Sequence, residues 1–213
     1  ASVPVFGVRP LKDAVRILEE RDDCSDLICD GRDGVPVGNR EQNLIDFRDI
    51  IGQEAAKRGM EIAAAGSHNA ILVGSPGSGK SSLAKALAGI LPPMTRQESL
   101  QTSKIYSVCG KSLSTSHSSF VRPFRSPHYS ASVSAIIGGG GGDNIIPGEV
   151  SLAHNGVLFL DEFLQIPKSV TEALRGPLED RCVTVSRLRN RVCYPASFML
   201  VAASNPCPCG YWG

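Results

Sequence analysis

The chain has 213 residues, of which 42% are hydrophobic and 20% are charged, values typical of a globular domain and not of a disordered chain. Its formal net charge of +1 provides no global field to attract nucleic acid or acidic membranes, and its apolar runs are far shorter than the roughly 20 residues of a membrane-spanning helix. Seven cysteines, an odd number, and an N-terminus without a signal pattern do not fit a secreted disulfide scaffold, so we expect a cytoplasmic protein with no membrane partner.

The first part of the chain divides near residue 45. Residues 1–45 contain one amphipathic stretch, with Leu11, Val15 and Leu18 at helical spacing, followed by a turn-rich segment. Beyond it, the pattern predicts a helix, a short buried strand, a glycine-rich turn and a second helix, at Gln53–Ala65, Ala70–Val73, 74–80 and Ser81–Leu91.

The second part of the chain contains two segments that predict mobile loops, the serine-rich residues 107–119 and the glycine run 138–142. Around them the pattern predicts a buried strand, a helix broken at Gly176-Pro177, a hairpin and a third buried strand, at Val157–Leu160, Ser169–Glu179, Val183–Tyr194 and Phe198–Ala203. Short apolar strands that alternate with helices are typical of a parallel sheet covered on both faces, so the predicted fold class is α/β.

The strongest chemical signal lies between the first strand and the second helix and matches G-x-x-x-x-G-K-[ST], the P-loop pattern. Its glycines let backbone N–H groups wrap a phosphate, and the following helix N-terminus adds partial positive charge. A glycine-rich turn with an incidental lysine is the alternative. In a P-loop the lysine neutralises the β- and γ-phosphates and the last hydroxyl binds Mg²⁺; the residues are Gly74, Ser75, Pro76, Gly77, Ser78, Gly79, Lys80 and Ser81.

Two of the predicted buried strands end in polar residues that suit phosphate chemistry. Asp161 and Glu162 follow Leu160 directly, which predicts that Asp161 holds Mg²⁺ and that Glu162 acts as general base for the attacking water. Asn205 follows the third strand, and its amide can donate to the γ-phosphate while it accepts from the water. Each pattern is also an ordinary way for a strand to leave a core.

Long stretches of the chain resemble the magnesium-chelatase-like AAA+ ATPases of the ComM/YifB type. The resemblance covers residues 46–213, and the stretches that carry it are Glu61–Gly66, Arg122–His128, Pro147–Glu162 and Asn205–Tyr211. It implies a AAA+ core, with a helix-2 insertion in the region 122–147 and a β-hairpin before sensor 1.

The same resemblance implies roles for individual residues. Lys80 and Ser81 become Walker A residues, Asp161 and Glu162 the Walker B pair, and Asn205 sensor 1. The resemblance thus implies ATP and Mg²⁺ as cofactors, bound between subunits of a homo-oligomeric ring, a hexamer. Metal ligation is expected from Ser81 and Asp161, and catalysis from Lys80, Glu162 and Asn205; the expected nucleotide contacts are Gln53, Gly74, Ser75, Pro76, Gly77, Ser78, Gly79, Lys80, Ser81 and Ser82.

The resemblance also sets expectations for domain organisation. Members of this family begin with a domain similar to the Lon protease C-terminal domain and continue into a helical lid that carries sensor-2 and arginine-finger residues. We therefore expect residues 1–45 to be the tail of the N-terminal domain plus a linker, and 46–213 to be the αβ core without the lid. An ATPase without its arginine finger loses about 10³-fold or more in rate, so low turnover is expected from this chain alone.

A basic tip on the predicted hairpin is the feature that indicates what ATP hydrolysis drives. Arg187, Arg189 and Arg191 would present phosphate-binding charge, although a charge cluster on a hairpin is more often a solvated face or a contact with acidic residues of a neighbouring subunit. The resemblance favours a motor on branched or single-stranded DNA in recombination or natural transformation. The alternatives are a motor subunit of a magnesium-chelatase-like enzyme and a nucleotide-dependent scaffold.

The cysteines and histidines carry weaker signals. Cys207 and Cys209 would need two further ligands to form a zinc site, so no metal other than Mg²⁺ is expected in this chain. Cys182 and Cys193 flank the hairpin, where they could face each other across it, but in a reducing compartment we expect them to be small packing residues. We expect His128 and His154 to be structural, whereas Arg122 and Arg125 fit a contact with nucleotide, DNA or a neighbouring subunit.

Overall fold

The computed structural model describes residues 45–110, 121–140, 145–186 and 191–207, all of which belong to one compact unit. The amphipathic stretch near the N-terminus and most of the serine-rich segment lie outside these residues. Within the described part, no helix is long and apolar enough to cross a membrane.

The helices follow the local signals in the sequence, with two 3₁₀ turns at Phe47–Asp49 and Phe163–Gln165. One example is the third helix, where Thr95 and Glu98 form a reciprocal capping box that satisfies two of the helix's unpaired N–H groups. The helices of the described part are α1 Glu54–Gly66, α2 Lys80–Ile90, α3 Arg96–Val108, α4 Val133–Ile137, α5 Glu149–Leu152 and α6 Lys168–Asp180.

The strands form one parallel sheet and two small antiparallel ribbons. Their bounds are β1 Ala70–Val73, β2 Phe124–Arg125, β3 Gly138–Gly139, β4 Ile146–Pro147, β5 Val157–Leu160, β6 Cys182–Ser186, β7 Arg191–Pro195 and β8 Met199–Ser204. The sheet has the order β1-β8-β5-β2, with all described neighbours parallel. Strands β3 and β4 form one ribbon, and β6 and β7 form the predicted hairpin. The predicted α/β class with a parallel sheet is therefore confirmed.

The core lies on both faces of the sheet, and β5 is its centre. All four residues of β5 are buried. Because side chains alternate along a strand, Val157 and Phe159 pack on one face with α1 and α2. Leu158 and Leu160 pack on the other face with α4, α6 and the hairpin. The centre of the sheet is thus covered on both sides, as expected from a continuously apolar strand.

The prediction that Ala70–Val73 is a buried strand is wrong in part, because β1 is an edge strand of the described sheet. Ala70 and Leu72 face the core, but Ile71 is 58% exposed and Val73 is 62% exposed. An apolar run by itself does not reveal how many neighbours a strand has. The face that carries Ile71 and Val73 is left open within the described residues.

The predicted break at Gly176-Pro177 is also wrong, since α6 continues through both residues to Asp180. Proline lacks an N–H, so the helix gives up one internal hydrogen bond there. Pro177 is buried against the core, and its carbonyl accepts from the N–H of Arg181 at 3.1 Å. The helix therefore continues past the point where local propensity predicts its end, because the proline ring is buried and the last turn keeps its hydrogen bond.

The two predicted loops are shorter than expected. Gly138 and Gly139 are strand residues, because their backbones pair antiparallel with Pro147 and Ile146. Ser107 and Val108 belong to α3. Helices α3, α4 and α5 were not anticipated, since each is either mainly polar or shorter than two turns.

Candidate functional site

The candidate site lies along the edge of the sheet where the parallel strands end. The P-loop follows β1, Asp161 follows β5 and Asn205 follows β8. In a parallel sheet, these carboxyl ends meet at one edge, which is the usual place for ligands in α/β proteins. Segments distant in sequence thereby bring polar side chains together.

The P-loop backbone takes the shape that its glycines allow. Gly77 and Gly79 have φ angles of +77° and +82°, a region that disfavours residues with a Cβ. Helix α2 begins at Lys80, directly after Gly79. The loop therefore delivers the chain to a helix N-terminus, where N–H groups and partial positive charge favour an anion.

The Lys80 ammonium is held over the P-loop by neutral oxygens. Its Nζ donates to the carbonyls of Gly74 and Ser75, each at 2.8 Å, and to the Ser78 hydroxyl at 3.4 Å. It also donates to Asn205 Oδ1 at 3.2 Å, which joins the first strand's loop to the end of β8. A cation held by neutral acceptors keeps its charge available, so phosphate oxygens are suitable further partners.

Ser81 and Asp161 form the second contact across the sheet. The Ser81 hydroxyl donates to Asp161 Oδ2 at 2.8 Å, although the two residues are 80 positions apart. The other carboxylate oxygen, Oδ1, accepts from the Glu162 N–H at 2.9 Å. A hydroxyl and a carboxylate are hard oxygen donors of the kind that Mg²⁺ prefers, so this pair fits the metal of an ATP complex.

Glu162 has an unusual backbone conformation. Its φ is +50°, in the left-handed region that non-glycine residues rarely adopt, and it is the N-cap of the 3₁₀ turn Phe163–Gln165. Strain of this kind costs on the order of 1–3 kcal/mol and is concentrated at functional sites. Because the chain turns sharply after Asp161, the two carboxylates follow β5 directly and the strand ends there.

Gln53 also contacts the P-loop. Its side-chain amide donates to the Ser78 carbonyl, and Gln53 itself is held at a φ of +58°. Of the other predicted nucleotide contacts, Ser75 and Pro76 are exposed and Ser82 is half-buried in the first turn of α2. The structure thus brings together Gln53, Lys80, Ser81, Asp161 and Asn205, with Glu162 beside Asp161.

Two predicted features lie largely outside the described residues. Arg187 and Arg189 lie outside the described residues, whereas Arg191 is exposed at the start of β7. Cys209 is likewise outside, while Cys207 is described. In the part of the chain that the structure covers, no three His, Cys, Asp or Glu side chains form a possible metal cluster.

The sequence left the partners of Arg122 and Arg125 open, and the structure assigns both to ion pairs within the chain. Arg125 binds Glu149 through two hydrogen bonds, of 2.6 and 2.7 Å, and this partner raises the pKa of its guanidinium. Arg122 Nη1 lies 3.1 Å from Glu98 Oε1. A hydrogen bond from the Thr95 backbone is the main cause that lowers the pKa of Glu98, with Arg122 adding to it. No local pattern could reveal pairs 24 residues apart.

The two histidines have different surroundings. His154 is buried, and its Nδ1 accepts from the Ser197 N–H at 3.1 Å, which assigns the proton to Nε2. Burial lowers its pKa. His128 is exposed, lies against the ring of Tyr129 and shares a 2.7 Å hydrogen bond with the Ser130 hydroxyl. His154 therefore has the structural position that the sequence suggested.

Comparisons with known proteins agree with this geometry. A family model described as magnesium chelatase, subunit ChlI, matches residues 46–213. The chain is 49% identical to the uncharacterised protein YifB of Salmonella typhimurium over 167 residues, which are 78% of this chain and 32% of that protein. It is 48% identical to the competence protein ComM of Haemophilus influenzae over 171 residues, 80% of this chain and 33% of ComM. The chain therefore spans about a third of the length of these relatives.

A solved structure has a similar fold. It is a cryo-electron-microscopy-based model of the complex between subunits BchI and BchD of magnesium chelatase. The match has a TM-score of 0.57 and 23% identity and covers 74% of this chain and 54% of that chain. At this identity, the similarity identifies the fold, a P-loop AAA+ domain.

Proposed function

Because the chain belongs to the magnesium-chelatase family of AAA+ ATPases, in its ComM/YifB branch, we propose that it binds ATP with Mg²⁺ and hydrolyses it. The observation that carries the proposal is the pair of contacts across the sheet edge, Lys80 to Asn205 and Ser81 to Asp161. A helix N-terminus, a lysine, a hydroxyl and a carboxylate are the groups that a nucleoside triphosphate and its metal require.

The residues divide into binding and catalytic roles. Lys80 exchanges its carbonyl acceptors for phosphate oxygens, and the P-loop N–H groups bind the remaining charge. Ser81 and Asp161 hold Mg²⁺, which when bound neutralises charge on the phosphates. Glu162 accepts the proton of the attacking water, and Asn205 orients that water through its amide.

Phosphate release from ATP by the full-length protein, in which turnover is not limited as it is expected to be in this chain alone, tests this division. Glu162→Gln should keep nucleotide binding and lower turnover by roughly 10²–10⁴-fold, because it removes a general base and leaves the phosphate contacts intact. Lys80→Ala should lose both binding and turnover. Lys85→Ala is the matched control, since Lys85 is an exposed lysine of the same helix. Full turnover by the Glu162 variant would contradict its role as base.

We further propose that several copies of the protein assemble into a ring and that ATP hydrolysis drives movement along branched or single-stranded DNA. Arg191 is exposed on the hairpin, two further arginines precede it in the sequence, and the relative in Haemophilus influenzae is named a competence protein. Guanidinium groups bind phosphates without reading bases, so the grip would be independent of sequence. Sedimentation with and without ATP measures assembly, which the Lys80 variant should weaken.

Turnover with forked or four-way DNA at two salt concentrations tests the DNA proposal. DNA should stimulate turnover, and the stimulation should weaken at higher salt, because each phosphate contact adds about 0.7–0.9 to the salt slope of binding. Replacing Arg187, Arg189 and Arg191 with alanine should reduce the stimulation. Arg175→Ala is the control, since Arg175 is exposed on α6 and pairs with Glu179. Turnover that ignores DNA would contradict the proposal.

The similarity to the BchI–BchD complex favours one other function, a motor subunit for insertion of Mg²⁺ into a porphyrin. The same assay includes protoporphyrin with Mg²⁺ as a further arm. Stimulation by porphyrin and not by DNA would favour the chelatase function. Nucleotide binding without turnover in any arm would instead favour a scaffold.

A further inference from the structure

The side chain of Gln53 contacts the backbone of the P-loop, although Gln53 belongs to the start of a different helix. Gln53 is the N-cap of α1, and its amide makes no capping hydrogen bond to that helix. The amide instead donates to the carbonyl of Ser78, 25 positions along the chain. Short side chains such as serine and aspartate are the usual N-caps, so helix capping does not explain a glutamine at this position.

The backbone of Gln53 is held from both sides. On the N-terminal side, Phe47 is buried in the core that α1 and α2 share. On the C-terminal side, the Gln53 carbonyl accepts the Lys57 N–H at 2.9 Å, the first hydrogen bond of α1. A φ of +58° is uncommon for a residue with a Cβ and persists only where the surrounding structure fixes it. The amide therefore extends from a fixed point and can restrain the loop that it contacts.

This hydrogen bond fixes the plane of one P-loop peptide. The Ser78 carbonyl and the Gly79 N–H belong to the same planar trans peptide, so they point in opposite directions. The Gln53 amide lies close to this peptide, since its nitrogen is 3.6 Å from the place that a Cβ on Gly79 would take. Among the described residues no hydrogen bond uses the Gly79 N–H, which leaves this donor available to an anion at the N-terminus of α2.

We propose that Gln53 is a positioning residue for phosphate binding, which holds the Ser78–Gly79 peptide so that the Gly79 N–H faces the phosphates of ATP. The inference rests on the proposed function, because it concerns how the same P-loop binds its ligand. Without the restraint, the peptide can rotate and turn a carbonyl oxygen towards the phosphates, which would repel them. Gln53 thus preorganises the loop for the phosphate end of the nucleotide, and it does so without a contact to the base.

Calorimetric titrations of the full-length protein test the proposal with two ligands, a non-hydrolysable ATP analogue and inorganic tripolyphosphate, each with Mg²⁺. Gln53→Met keeps the length of the side chain but has no donor. It should weaken the binding of both ligands by the same factor, about 3–10-fold, which is the size expected for one hydrogen bond. In turnover assays, the same variant should raise KM for ATP and leave kcat unchanged, because the oriented N–H binds substrate and transition state equally.

Two variants serve as controls. Gln101→Met, a change at an exposed glutamine of α3, should leave both affinities unchanged. Lys80→Ala should lose the binding of both ligands. If Lys80→Ala binds tripolyphosphate as well as the unmodified protein does, the P-loop is not the phosphate site and the proposed function itself fails.

Three results would overturn the inference while the proposed function stands, each with Lys80→Ala still losing both ligands. The first is that Gln53→Met binds both ligands as tightly as the unmodified protein. The second is that Gln53→Met weakens only the ATP analogue, which would assign Gln53 to the base. The third is a lower kcat with an unchanged KM and a lower urea midpoint of unfolding, which would show that Gln53 only stabilises the fold.

Discussion

Replacing Arg122 with methionine should make the protein easier to unfold. The guanidinium joins three segments: Nε donates to the Pro92 carbonyl at 2.7 Å, and Nη1 donates to the Asn155 carbonyl at 2.8 Å and to Glu98 at 3.1 Å. The side chains of Arg122 and Glu98 are only 17% and 28% exposed. Methionine keeps the length and the aliphatic packing of the arginine stem but removes all these hydrogen bonds.

The size of the loss follows from this burial. Breaking a fully buried ion pair costs about 3–5 kcal/mol, whereas exposed pairs contribute about 0–1 kcal/mol. Arg122 lies between these limits, and its loss also leaves two carbonyls without their charged donor. We therefore expect Arg122→Met to lower the free energy of unfolding by about 2–4 kcal/mol.

A double-mutant cycle with Glu98→Gln separates the ion pair from the other contacts. Glutamine can retain the capping box with Thr95, so this variant removes mainly the charge. The coupling energy should be about 1–2 kcal/mol, smaller than the whole effect, because the bonds to the two carbonyls do not depend on Glu98. Urea unfolding followed by circular dichroism measures all four proteins. A loss below about 0.5 kcal/mol in Arg122→Met, or no coupling, would refute the reasoning.

Three other changes test the packing and the buried histidine. Burial lowers the pKa of His154, so the unfolded chain binds the proton more readily than the folded chain does. The free energy of unfolding should therefore fall as the pH drops below about 6.5. His154→Asn should flatten this pH dependence, which urea titrations at several pH values measure. In Gly156→Ala, the new Cβ would lie 2.0 Å from the Pro123 carbonyl oxygen, so thermal unfolding should show a loss of about 3 kcal/mol, the upper end of the usual cost of overpacking. Gly59→Ala, on the exposed side of α1 with nothing within 4 Å of the added Cβ, should instead stabilise the protein by about 0.5–1 kcal/mol, and a loss there would show that its helix is strained.

Much of the candidate site could be predicted because its signals are local. The P-loop pattern requires φ angles that glycine allows, and it lies between a strand and a helix that the sequence also indicates. The order of Asp161 and Glu162 after an apolar strand requires no knowledge of distant residues. The contacts Lys80–Asn205 and Ser81–Asp161 follow once the strands are known to be parallel, because parallel strands end at one edge.

Other features could not be predicted because the deciding partner is distant in sequence. The glycine run looks like a loop, but Gly138 and Gly139 pair with a strand formed later in the chain. Pro177 ends a helix by its propensity, but burial against the core keeps the helix intact. Arg125 has a charge that suits nucleotide or DNA, and only the fold shows that Glu149 binds it.

The sequence by itself therefore determined α1, α2, β5, the hairpin and β8, together with the α/β class and the chemical groups of the phosphate site, since hydrophobic period, glycine placement and strand-end residues act over a few positions. Tertiary structure alone decided that β1 lies at the edge of the described sheet, which arginines are bound within the chain, and that Cys193 is exposed and not packed in the core. These outcomes depend on strand order, register and packing between segments far apart in the chain. Such contacts form only when the whole domain folds, so no local pattern encodes them.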